Sequence, residues 1–149
     1  MQADVPVVCV SLHKSLSAEI NMKIGTALAP LRDEEILLLG SGYSFHNMNA
    51  FFNPSEKTVK ASSDFNDWLK DTIMNGGDKM VAKLQNWASA PGGRISHPRE
   101  EHLLPLFMVA AAGMDSSDNC TPQVIYETEA SFAKDGGETN HKVTGYLFQ

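Results

Sequence analysis

Cysteine is scarce in this sequence. Only Cys9 and Cys120 carry thiols among 149 residues, too few and too far apart for a disulfide framework, and without a Cys-x-x-Cys pair. They read as reduced thiols of an intracellular protein, and the cytosol is the expected compartment. Long apolar runs are also lacking. The N-terminal stretch MQADVPVVCVSLHK has no basic segment followed by a long apolar core. The apolar run at residues 103–114 falls short of the roughly 20 residues that a membrane-spanning helix needs. No targeting or membrane segment is expected. Basic residues are in deficit: 12 Lys and Arg stand against 18 Asp and Glu, a formal net charge of -6. Nucleic acids and anionic membranes are bound by clustered Lys and Arg, so neither is an expected partner; a small neutral or anionic molecule remains open.

Internal repeats, low-complexity tracts and interdomain linkers are absent too. With 42% hydrophobic and 20% charged residues, the composition excludes disordered, collagen-like and coiled-coil classes. A chain of this size can bury roughly 68–70% of its unfolded surface. One domain spanning residues 1–149 is expected.

Two hydrophobic periods alternate along the chain. VPVVCVSL (residues 5–12) is β-branched and continuous, as a strand buried on both faces would be. Ser17 offers a helix N-cap, and Ile20, Ile24, Ala27 and Leu28 recur at helical spacing as far as Pro30. EILLLGSG (residues 35–42) is a short apolar run ending in glycines and reads as a second buried strand. Strand, helix, strand is a βαβ unit, so the fold class is α/β, with a mixed, largely parallel sheet flanked by helices.

Further on, residues 63–74 place Phe65, Trp68, Leu69 and Ile73 on one helical face, capped by Ser62 or Ser63. Gly76 and Gly77 break that helix. A second helix at residues 78–88 turns Met80, Val81, Leu84 and Trp87 inward. The turn SAPGGRIS follows, and Pro98 then sits where the first residue of a buried helix over residues 99–112 would be. Pro105 inside that helix predicts a kink. The last third is loop-rich, with strands at QVIYET (123–128) and KVTGYLF (142–148) and a flexible Gly136 and Gly137 between them.

Two constellations carry possible chemistry. GSGYSFHN (residues 40–47) directly follows the second expected strand, and ligands in open α/β sheets bind beyond the C-terminal ends of strands. His46 therefore sits where a catalytic group would be; the competing reading, which the pattern by itself favours, is a glycine turn that packs a histidine on the next helix. In SHPREEHLLPL (residues 96–106), His97 falls at the expected N-cap and His102 one turn further in, with Glu100 and Glu101 between. Imidazole and carboxylate in an apolar region call for pairing or a metal. The competing reading makes the glutamates solvated first-turn residues and His102 a satisfied core histidine.

The order of VPVVCVSL, IGTALAPLRDEEILLLGSG, GSGYSFHN and HPREEHLLPLFMVAAAG resembles the C-terminal half of class III extradiol ring-cleavage dioxygenases, the LigB superfamily, and within it the DOPA dioxygenase branch. The likeness runs from about Val5 to the terminal VTGYLFQ. It implies a truncated LigB-like fold, catechol-type substrates and dioxygen, and non-haem Fe(II), with zinc the alternative metal. By the same resemblance His46 is the acid–base histidine that assists proton removal from the catechol, and His102 is a metal ligand. His97, Ser41 and Asn47 then fall among substrate-contacting groups. The ring would open to a muconic semialdehyde.

Members of that family are roughly twice this length, and two further histidine ligands belong to the half that this sequence does not match. His13 reads as a surface residue and His141 as part of a polar tail, so neither replaces them. A fragment of a full enzyme, a subunit completed by another chain, and a non-catalytic relic are the three resulting readings. Each leaves an edge and an apolar face uncovered, so a homo-oligomer or a partner carrying the missing half is expected. A different class stays open: a zinc-binding hydrolase or metal-binding module in which His97, His102 and Glu101 hold zinc.

Overall fold

The computed structural model describes residues 4–114, 120–130 and 140–149. Ser17 caps the first helix as its position predicts: its side chain accepts from the Ile20 N–H, and α1 runs Ala18–Leu28. Gly25 is on the buried side of α1, and a Cβ there would strike the Met108 carbonyl. The α1 backbone is thus pressed directly against the long apolar helix near the end of the chain. Pro30 does not end the structure; it opens a 3-10 turn, Ala29–Glu34, where its missing N–H costs nothing.

The stretch after the second apolar run holds a short helix, α2 (Met48–Phe52), capped by Asn47. The next helix, α3, is longer than its apolar pattern implies and covers Glu56–Asn75. Its cap is Ser55, in a reciprocal capping box with Thr58, so Ser62 and Ser63 lie inside the helix. Ser62 has another use: its hydroxyl accepts from the Lys142 N–H at 2.8 Å and ties α3 to the last strand. Phe65, Leu69 and Ile73 are buried as their spacing predicts.

The helix expected over residues 78–88 is broken into a 3-10 turn at Gly77–Lys79, α4 (Met80–Gln85) and a second 3-10 turn at Trp87–Ser89. Met80, Leu84 and Trp87 point inward, whereas Val81 is 40% exposed. A four-residue helix, α5 (Gly93–Ser96), occupies the expected turn.

The buried helix near the end, α6, spans Leu104–Met114 and starts later than Pro98 implies. Pro105 is its second residue, so it sits in the first turn where a lost donor is harmless, and no mid-helix kink follows. His97 is correspondingly the C-cap of α5 and not an N-cap, and His102 lies in the turn before α6. Phe107, Ala110 and Ala111 of α6 join Met22, Phe65, Leu69 and Leu84 in the main core.

The chain closes on β1 (Pro122–Ala130) and β2 (His141–Phe148), paired antiparallel with an irregularity between Val124 and Tyr126. Gly136 and Gly137 lie outside the described residues. This two-stranded ribbon is the only sheet among the described residues. The segments at residues 5–12 and 36–42 form no ladder: apart from the Ile36 N–H, which donates to the Leu31 carbonyl, no backbone group of either is hydrogen-bonded to a described residue. Val7 is 83% exposed and Leu37 79%. A strand gains its stability from cross-strand hydrogen bonds and from burial on its faces, and neither is offered to these segments here. The result is a mixed helix-and-strand fold in which the described residues form no parallel sheet.

Candidate active site

Glycine spacing brings the GSGYSFHN segment onto α6. A Cβ at Gly40 would come within 2.7 Å of the Pro105 carbonyl, and one at Gly42 would strike the His102 carbonyl. That close approach lets the Tyr43 N–H donate to the His102 carbonyl at 2.8 Å. At the next residue the Ser44 carbonyl accepts from His97 Nε2 at 2.9 Å, while the His46 N–H donates to the Ser96 carbonyl at 2.9 Å. Asn47 Nδ2 donates to the Ile95 carbonyl at 2.7 Å, and its Oδ1 accepts from the Ala50 N–H. Residues 43–47 and 95–102 are therefore stitched together along their length.

This stitching places two imidazoles face to face. The rings of His46 and His102 stack with centroids 3.5 Å apart and planes inclined by 14°. Burial and the neighbouring His102, in that order, lower the pKa of His46 from its usual value. It is held neutral near pH 7, the form that can accept a proton. His102 is exposed, contrary to its expected place in a buried helix. The buried histidine is His97, fully inaccessible between Phe65 and Trp87, with its ring edge-on to both. Burial brings its pKa down to about 4. The hydrogen bond to a carbonyl fixes its proton on Nε2 and leaves Nδ1 without a partner.

The carboxylates expected to share the site are engaged outside it. Glu100 pairs with Arg94 at 2.7 Å, and that guanidinium lies 4.5 Å over the Trp87 ring. Glu101 pairs with Arg99. His97, Glu101 and His102 are not brought together as a zinc site: no group of three or more potential ligands occurs among the described residues. His13 bonds locally to Ser15, as a surface residue would. His141 is not in a polar tail. It is fully buried, stacked 4.2 Å from Phe45 in a second small core. Ser41 is exposed between the two packed glycines.

A cavity of about 640 Å³ adjoins the pair. Its walls are Leu37, Leu39 and Tyr43 on one side, Leu106 and Val109 of α6, and the end of β2, with His102 contributing an edge. Nothing in the local pattern announced this cavity, because its walls come from three separate stretches of chain.

An imidazole binds a metal through a lone pair in the plane of its ring. Two rings stacked nearly parallel do not aim at one ion, so His46 and His102 together supply at most one ligand to a given metal. Non-haem iron takes three protein ligands and keeps positions open for other molecules. The donors present do not by themselves fit that metal.

The chain thus combines helices and a strand pair with a stacked histidine pair, one member of which, His102, lines a largely apolar cavity. No protein-family model matches the sequence. It is 34% identical over 116 residues to the 4,5-DOPA dioxygenase extradiol of Beta vulgaris, covering 78% of this chain and 42% of that protein. The Escherichia coli protein of the same name is 33% identical over 111 residues, 74% of this chain and 41% of that one. A crystal structure of an uncharacterized Escherichia coli K12 protein superposes with a TM-score of 0.67 at 25% identity, covering 87% of this chain and 50% of that one. The chain belongs to the 4,5-DOPA extradiol dioxygenase-like family, and it spans somewhat under half the length of the curated relatives it matches. No helix among the described residues is long and apolar enough to cross a membrane.

Proposed function

We propose that this chain supplies the acid–base face and one metal ligand of an extradiol ring-cleavage site acting on a catechol of the DOPA type, with dioxygen as co-substrate. The observation that carries this reading is the His46–His102 stack, which sets a neutral imidazole against a second, exposed one at the rim of an apolar cavity. Extradiol cleavage needs a base to take a hydroxyl proton and an acid to return one. His46, kept neutral by burial and by its neighbour, fits both tasks. His102 is the ligand, its exposed ring open to an ion and to residues from elsewhere. Fe(II) is the metal this reading requires, with zinc accepted by the same ligand type; when bound, it would hold and activate the catechol and oxygen.

Asn47 and His97 serve in this reading by fixing the backbone on either side of His46. Asn47 spends both ends of its amide on backbone groups, and His97 has no exposed surface. Ser41 has room to meet a substrate hydroxyl. The two separated free thiols favour a cytosolic setting. The largely parallel sheet belongs, in this reading, to the completed protein, in which residues 5–12 and 36–42 gain neighbours.

Oxygen uptake with DOPA and simpler catechols after anaerobic loading with Fe(II) tests the proposal. Uptake with a ring-opened, visibly absorbing product, abolished by His46→Ala, is the expected result for the completed site. Turnover that survives His46→Ala would overturn the role given to that residue.

A further inference from the structure

We infer that residues 5–12 of one copy of this chain dock as a β-strand into the cavity lined by residues 36–43 of a second copy, reciprocally, about a two-fold axis.

Residues 36–43 (ILLLGSGY) contain no charge and no proline, the devices that usually blunt a free strand edge. Leu37 and Leu39 are 79% and 82% exposed, and from Leu37 to Gly42 no backbone group bonds to a described residue. The end of β2 and Leu106 and Val109 of α6 line the same cavity of about 640 Å³ as this edge. Two extended segments and a helix thus border one space that no described strand of this chain fills.

The chain also carries an uncharged extended segment without a partner. Residues 5–12 (VPVVCVSL) match residues 36–43 in length, which at extended spacing is about 26 Å. Val7 and Val8 are 83% and 86% exposed, and this segment is not part of the cavity wall of its own chain. Each feature is what the other lacks: β-branched side chains for an apolar lining, and free N–H and C=O groups for a free edge. A reciprocal exchange joins two such pairs in one closed interface, as two-fold symmetry requires. The net charge of -6 does not oppose it locally, because neither segment carries a charged residue.

Sedimentation equilibrium of the full chain reads association without substrate or metal, whereas oxygen uptake reads ring cleavage, so the two can fail separately; a docked strand takes up the Leu37 and Leu39 side of the cavity that the ring-cleavage reading also uses. A dimer at micromolar concentration is expected, with amide exchange at residues 37–42 slowing as concentration rises. Val7→Lys with Val8→Lys should give a monomer, as should Leu37→Lys with Leu39→Lys; all four side chains are exposed, so helical circular dichroism should be unchanged. Mixing the two variants should restore a dimer, because one intact strand and one intact cavity then meet. A monomeric unsubstituted chain would overturn the inference and leave the cavity to a different polypeptide. A dimer that persists in either variant, or a mixture that stays monomeric, would overturn it equally.

Discussion

His46 and His102 lie in parallel, with ring centroids 3.5 Å apart, because backbone hydrogen bonds from Tyr43 to His102 and from His46 to Ser96 bind their two segments together. At that separation a charge on His102 disfavours a proton on His46, the second cause after burial of its lowered pKa. The protonation state of His46 therefore depends on His102.

Replacing His102 by Ala removes that neighbouring charge and admits water to the face of His46. Both effects act against the causes that lower its pKa. The NMR titration midpoint of the His46 ring should rise in His102→Ala. A midpoint that stays or falls would mean that the stack does not control His46.

His97 makes a separate prediction about stability. Its folded value is about 4, against an ordinary value of 6.5, so the unfolded chain binds the proton more readily. The sign follows: stability is full above about pH 6.5 and is lost as pH falls towards 4, by roughly 3 kcal/mol at most. Denaturant unfolding across this range should show the decline. His97→Gln, which keeps a donor for the Ser44 carbonyl but cannot titrate, should flatten it, leaving the contributions of His46 and His141, whose pKa values are also lowered.

How much of this was legible in the sequence depends on the range of the interaction. Ser17 and the periodicity of α1 are local signals and read correctly. Pro98 and Pro105 both fit the first turn of a helix, and choosing the earlier one drew His102 into the helix and buried it. A helix begun at Pro98 puts His97 at its N-cap and His102 inside it, whereas His97 is buried and His102 exposed. The residues of the histidine pair were identifiable, but their stacking was not, since it rests on hydrogen bonds between segments some 50 residues apart in sequence, such as His46 to Ser96. Residues 5–12 and 36–42 have strand composition; a ladder requires a neighbour, and composition cannot supply one.

Gly25 tests the contact between α1 and α6. A methyl group there would run into the Met108 backbone, which cannot move aside as a side-chain end could. Gly25→Ala should therefore destabilise the fold by about 1–3 kcal/mol despite the better helix propensity of alanine. Urea unfolding measures it, and an unchanged or raised midpoint would show that the two helices are free to part.

Asn47 divides into two functions that one substitution can separate. Its Oδ1 caps α2 through the Ala50 N–H, and its Nδ2 clamps the Ile95 carbonyl. Asn47→Asp keeps an acceptor for the cap and removes the donor, setting a carboxylate against a carbonyl oxygen. Asn47→Ala removes both. If the clamp holds the His46 segment in place, the aspartate variant should lose about 1–3 kcal/mol, the range for leaving a partly buried acceptor unsatisfied, and should approach the alanine variant. An aspartate variant as stable as the parent would assign the whole effect to the cap. In that case the position of His46 would rest on its own hydrogen bond to Ser96 and on the buried ring of His97.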